Sequence, residues 1–170
     1  MSRRAENNPE PAGNRRSAAR LAAVQALYEM DMVDADADAV LEEFLAKRWR
    51  PGAHELKPDG DTTDAELALI EPDREWLRDV VHGVAANRDK LDVQIGGALS
   101  EEWTVDRLET LIRVILRSAV FELNNKPNVP ASVVIDEYLD VAHAFFEGPE
   151  SGLVNGVLDR LARDLRSGEL

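Results

Sequence analysis

Three arginines, Arg15, Arg16 and Arg20, open the first amphipathic stretch, NRRSAARLAAVQALYEM. A guanidinium group binds phosphate oxygens in pairs through its planar fork of donors. On a helix, Arg16 and Arg20 stand one turn apart, about 40° from each other around the axis. Tyr28 lies two turns beyond Arg20 and about 80° around, where a ring can stack on a base. Free N–H groups at a helix start add to the pull on an anion. For the helix itself the placement is unfavourable, because cations at an N-terminus oppose the dipole by about 0.3–1 kcal/mol each. The chemistry these residue types point to is recognition of a nucleic-acid backbone and its bases. The competing reading leaves the arginines solvated, or paired with the acids of residues 29–43.

Catalytic constellations are scarce. His54, His82 and His143 fall in a loop and two different helices, without the spacing of a metal site. Asp136 and Asp140 share a helix face, as an acid–base or metal pair would, but in so acidic a chain they read as a solvated face. No glycine-rich phosphate loop or nucleophile elbow is present, and Gly96-Gly97 reads as a helix stop. Ser17, Ser132 and Ser151 lack a local base. The expectation is therefore a protein that binds rather than catalyses, with no cofactor and no metal.

The chain has 170 residues, enough for one domain with a substantial core and short for two. Aromatics are only 5%, so the core must be built mostly from Leu, Val, Ile and Ala. With no cysteine, disulfides and thiolate metal sites are excluded, which fits a reducing cytoplasm. No apolar run reaches the roughly 18–20 residues that span a bilayer, and the N-terminus lacks the pattern of a signal peptide. The net charge of −13 argues against non-specific coating of nucleic acid. That charge is uneven: residues 1–20 sum to +3 and the rest to −16. A small basic end on an acidic body suggests an anionic partner at one place and a basic one at another.

The elements that must position these residues are helices. Residues 1–13 read as a disordered tail, followed by a helix over Arg15–Met32. A second helix starts at Asp36 or Asp38, buries Val40, Leu41, Phe44, Leu45 and Trp49, and stops at Pro51-Gly52. A loop around 50–63 precedes a short helical piece, DAELALI. Pro72 then opens a helix with Trp76, Leu77, Val80, Val81, Val84, Leu91 and Ile95 on one face. Gly83 inside it predicts a close crossing or a bend. Thr104 or Ser100 opens the strongest helical pattern, Leu108 to Leu123, expected to be central. Pro130 starts the next helix, with Val134, Tyr138, Val141, Ala142 and Phe145 in its stripe. EGPESG breaks it before a last helix with Val154, Val157, Leu158, Leu161 and Leu165. The expected fold is all-α, a single compact domain of six or seven helices. Within VNGVLDRLA, Gly156 reads mainly as a packing position that lets another backbone approach.

In chain order, RRSAARLAAVQALYEMDM, WLRDVVHGVAANRDKLD, LIRVILRSAVFEL, VPASVVIDEYLDVAHAFF and LVNGVLDRLA resemble the NusB family. The resemblance covers roughly residues 15–35 and 74–165, and the loop around 50–63 looks like an insertion. It implies two small helical bundles and a role in transcription antitermination. NusB-like proteins bind the boxA element of nascent ribosomal RNA together with NusE, a small-subunit ribosomal protein, and join RNA polymerase and other Nus factors. On that basis residues 14–170 form an RNA-binding domain. Arg15, Arg16 and Arg20 correspond to the family's arginine-rich start and Tyr28 to its RNA-facing tyrosine. Phe146, Glu150 and Leu153 fall where the family presents further RNA contacts. Ser17 and Ala18 stand where such proteins are often basic, implying a weaker electrostatic contribution. NusE is expected on the Leu108–Leu123 helix and neighbouring surface. Some relatives also form homodimers. Two other readings remain: a protein-binding helical adaptor without RNA contact, and a stand-alone module like those fused to RNA cytosine methyltransferases. With the chain ending at Leu170, no methyltransferase domain is expected to follow.

Overall fold

Apolar residues recur at helical spacing through most of the chain, and each such stretch buries its stripe against a neighbour. The computed structural model describes residues 12–48 and 70–170. Within them the chain forms α1 (Ala12–Val33), α2 (Ala37–Arg48), α3 (Arg74–Ala98), a 3-10 turn (Val105–Arg107), α4 (Thr110–Asn125), α5 (Ala131–Phe145) and α6 (Glu150–Leu165). No strand occurs among the described residues. The fold is all-α, as the periodicity requires. Residues 1–11 of the expected tail, Trp49, the Pro51-Gly52 stop, the 50–63 loop, His54 and all of the DAELALI piece except Ile70 lie outside the described residues.

Helices α1–α3 pack on one another, as do α4–α6, and the two groups share a single apolar core. Helix α4 is the centre: it packs against α1, α3, α5 and α6, and every residue from Val114 to Leu123 is buried. This limits what the helix itself can offer to NusE, which the sequence reading places on Leu108–Leu123 and neighbouring surface. Only the first turns of α4 (Thr110, Leu111, Arg113) and its last residues reach the surface.

Helix boundaries follow local chemistry. The Asp73 carboxylate caps α3 by accepting the Trp76 N–H at 3.1 Å, so Pro72 precedes the cap instead of opening the helix. The Asp73 N–H donates in turn to the Arg15 carbonyl at 3.0 Å, fixing the start of α3 on the start of α1. Helix α1 begins at Ala12, earlier than the sequence suggests. Helix α4 begins later, because Leu108 is extended (φ −70°, ψ 143°) between the 3-10 turn and Thr110. Of the two alternatives expected at Gly83, a close crossing or a bend, the structure shows the crossing. A Cβ on Gly83 would lie 2.0 Å from the Phe121 ring. Four residues on, Asn87 leaves helical geometry (φ −116°, ψ 16°) while its side-chain amide donates to the Gly83 carbonyl at 2.8 Å.

Two expectations within the helices need correction. Phe145 points outward and is 40% exposed, whereas Phe146, at the end of α5, packs against the core. Among the described residues nothing lies within 4 Å of a Cβ placed on Gly156, so it serves no packing approach to them.

Polar anchors complete the core. Arg117 donates to both oxygens of Asp92 (2.7 and 2.9 Å) and to Asp31 (3.2 Å), joining α4 to α3 and α1. Arg166, just beyond α6, donates to the carbonyls of Leu123, Lys126 and Val129, each at 2.9 Å, and latches the link between α4 and α5.

Candidate nucleic-acid interface

The first turns of α1 present the arginine-rich start, and its register decides which arginines reach solvent. Arg20 lies in line with Val24 and Leu27, at i+4 and i+7, on the buried side of the helix. Its guanidinium is 3% exposed. Nε lies 3.1 and 2.9 Å from the two Glu122 oxygens, Nη2 lies 2.9 Å from Oε1, and Glu137 sits 3.6 Å from Nη1. The Tyr138 hydroxyl donates to the same Glu122 carboxylate. Desolvation on its own would lower the Arg20 pKa, but the Glu122 hydrogen bond and charge more than offset it and the net shift is upward. Burial, then the Glu122 charge, push the Tyr138 hydroxyl well above its ordinary range. Arg20 is therefore a core ion pair and not a phosphate ligand, which corrects its place in the expected site.

Arg15 and Arg16 are exposed. The Arg16 guanidinium stacks over the Trp76 ring at 4.6 Å, the Lys126 ammonium sits 4.6 Å from the same ring, and Arg20 lies 5.4 Å from it. The cleft there holds about 220 Å³ and is lined by Arg16, Lys126 and Trp76 together with Asp73, Glu75 and Asp79. Lys126 also pairs with Asp79 at 2.8 Å. Three carboxylates thus temper the positive charge around Arg16.

The remaining expected residues lie toward the far end of the bundle. Helix α1 runs opposite to α4, since Arg20 meets Glu122 while Asp31 meets Arg117. Helix α5 also runs opposite to α4, so α1 and α5 share a direction, and the Ser17 hydroxyl donates to Glu137 at 2.9 Å. Tyr28 lies about 16 Å beyond Ser17, and Phe146 about 13 Å beyond Glu137, at a rise of about 1.5 Å per residue. Tyr28 and Phe146 therefore stand near one level, where α6 begins with Glu150. Tyr28 is 38% exposed, but it lies about 120° around the helix from Arg16 and on another face.

Glu150 and Leu153 share one groove of about 390 Å³ with Trp103, Arg107, Leu108, Glu109, Ile112 and Pro149. Arg107 lies 5.9 Å from the Trp103 ring centre and donates to the Glu102 carbonyl at 2.9 Å. Trp76, Lys126, Trp103 and Arg107 were not singled out as site residues from sequence. Glu122 was not singled out either, although it interrupts an apolar run in register with Ile115 and Ala119, where a buried charge needs some counter-charge.

Among the described residues no group of three His, Cys, Asp or Glu side chains is placed to hold a metal ion. Asp136 and Asp140 are exposed, as a solvated face should be. His82 lies 3.1 Å from Asp38 on the surface, and His143 is exposed. No helix among the described residues is long and apolar enough to cross a membrane.

Comparison with known proteins agrees with this architecture. The NusB family model matches residues 17–163. The transcription antitermination protein NusB of Rhizobium rhizogenes is 42% identical, covering 98% of this chain and 97% of its own length. That of Caulobacter vibrioides is 44% identical over 91% of this chain and 98% of its own. The solved structure of T. maritima NusB superposes with a TM-score of 0.68 at 27% identity, covering 92% of this chain and 94% of that one. A crystal structure of antitermination factors NusB and NusE in complex with dsRNA shares the fold, with a TM-score of 0.66 at 20% identity, covering 87% of this chain and 96% of that one. Sequence and fold together place this chain in the NusB family.

Proposed function

We propose that this chain is a cytoplasmic transcription antitermination factor that binds the boxA element of nascent ribosomal RNA together with NusE. With other Nus factors it helps the RNA polymerase elongation complex stay processive. The observation that carries the reading is near full-length similarity to proteins named for antitermination. The surface supports it. Arg15 and Arg16 form a cationic end for phosphates. Tyr28, Phe146, Glu150 and Leu153 lie toward the opposite end of α1, where rings and a carboxylate acceptor suit exposed bases. The strongly acidic body complements a basic ribosomal protein.

Titration of a boxA RNA at two salt concentrations, with and without NusE, tests this. NusE is expected to tighten RNA binding, and salt to weaken it. One observation favours the adaptor alternative: Arg20 is spent inside the core, and acids surround Arg16. That alternative predicts NusE binding with no effect on RNA. A solution mass measured alongside reports whether the chain self-associates.

A further inference from the structure

Three helices meet at the Trp76 ring, and the RNA reading draws on only one of them. Arg16 of α1 lies over the ring at 4.6 Å, and the ammonium of Lys126, the residue that ends α4, sits at the same distance. The ring belongs to the first turn of α3 and is 9% exposed. Its backbone is fixed through Asp73, which accepts the Trp76 N–H and donates its own N–H to the Arg15 carbonyl. Lys126 is held as firmly: its N–H donates to the Glu122 carbonyl at 2.8 Å and its carbonyl accepts from Arg166 at 2.9 Å. Two cations drawn to one ring repel each other, and a negative charge between them relieves that repulsion. The indole N–H is buried with no acceptor among the described residues, a cost that native structures rarely leave standing. Both cations and the ring line one cleft of about 220 Å³, where the ammonium is paired with the exposed Asp79.

Resting on the RNA reading above, we propose that Lys126 is a further phosphate-binding residue, sharing one phosphate of the strand with Arg16, and that Trp76 positions the pair. Free arginine and lysine side chains lose rotamer freedom when they capture an anion. Stacked on a buried ring, these two have lost much of it beforehand. The phosphate enters the cleft, displaces Asp79 from the ammonium and gives the indole N–H the acceptor it lacks. The guanidinium supplies a fork of donors and the ammonium a compact charge, so both can serve one phosphate through different oxygens. Asp73, Glu75 and Asp79 also line the cleft, so a single exposed arginine makes a poor anion site there. The second cation is what completes it.

The test reads dissociation constants of the full chain for a boxA RNA across a range of salt. Lys126→Met and Arg16→Ala are each expected to weaken binding several-fold. Together they should remove one phosphate contact, lowering the steepness of log affinity against log salt by about 0.7. Asp79→Asn should tighten binding in the wild type and leave a Lys126→Met background unchanged. Trp76→Leu should reproduce the loss seen in the double variant, and Trp76→Phe, which keeps a ring, should restore most of it. Thermal melts hold the folded fraction equal, and the Lys126 and Asp79 changes leave the core intact if Trp76→Leu does not fold. At one position along the RNA, a neutral methylphosphonate should weaken the wild type and leave the double variant unaffected. An unchanged salt slope in the double variant overturns the shared site alone, as does an Asp79→Asn gain that survives Lys126→Met. If no methylphosphonate position behaves so, while inorganic phosphate at matched ionic strength still raises the melting temperature of the wild type and not of the double variant, the cleft holds a free anion and the strand assignment falls. Absence of RNA binding by the wild type at every salt concentration overturns both this and the RNA reading.

Discussion

A guanidinium placed one helical turn too far into the core changes role completely. Arg20 and Glu122 are almost fully buried and hydrogen-bonded through both carboxylate oxygens, so removing one leaves the other a buried charge without its main partner. Glu122→Gln is expected to cost about 3–5 kcal/mol in denaturant unfolding, and replacing both residues with apolar side chains should recover much of that loss. Tyr138 adds a pH dependence. Its folded pKa lies well above the ordinary value, so the stabilisation is complete below the unfolded tyrosine pKa near 10 and declines as pH rises beyond it. In a Tyr28→Phe background, tyrosinate absorbance should therefore appear only together with loss of helical signal. Ionisation of Tyr138 in a chain that is still helical would contradict the burial argument. At this scale the sequence was only half legible. Residue types and spacing marked Arg15, Arg16 and Tyr28 correctly as surface groups. The same spacing placed Arg20 beside Arg16, because one helix turn separates them and nothing local identifies Glu122 as a partner 102 positions away.

Helix α3 shows how an element adapts to a single crossing. Gly83 is intrinsically poor in a helix by about 1 kcal/mol relative to alanine, yet the Phe121 ring of α4 occupies the space a methyl group would need. Gly83→Ala is expected to destabilise the protein by about 1–3 kcal/mol despite its helix propensity. Phe121→Leu should reverse part of that loss, a coupling that a double-mutant cycle measures directly. If Gly83→Ala stabilises the protein, the close crossing is not what selects glycine here. Buried stripes such as Trp76 to Ile95 and Val154 to Leu161 were legible because their period matches the helix and each faces the one core. Boundaries were less so. The extended Leu108 before Thr110 is set by how the 3-10 turn packs on α3, a tertiary demand that no local capping residue announces. Phe145 and Phe146 illustrate the same limit, since adjacent aromatics at a helix end differ in burial only through where the chain leaves α5.

Across the whole molecule the proposed RNA contacts divide between two ends of α1, with the cationic pair at its start and the aromatic and carboxylate groups beyond its middle. Arg15 and Tyr28 are separated by about 20 Å along the axis, so a strand must span several nucleotides to engage both. Salt dependence should report only the cationic end. With Arg20 internal and Arg16 flanked by acids, one or two phosphates are neutralised, which sets a slope of log affinity against log salt of about −0.7 to −1.4. Arg15→Ala should lower the slope by one contact. Arg20→Met should leave it unchanged, at equal folded fraction, because that side chain never meets the strand. Linking the two ends through one RNA also raises effective concentration, so a full-length strand should bind far more tightly than either half. The half that reaches only the Tyr28 and Glu150 end should keep its sensitivity to Tyr28→Ala while losing both the Arg15 effect and most of the salt slope. Equal salt slopes for the two halves would mean that the charge of this acidic body is not divided as the fold arranges it.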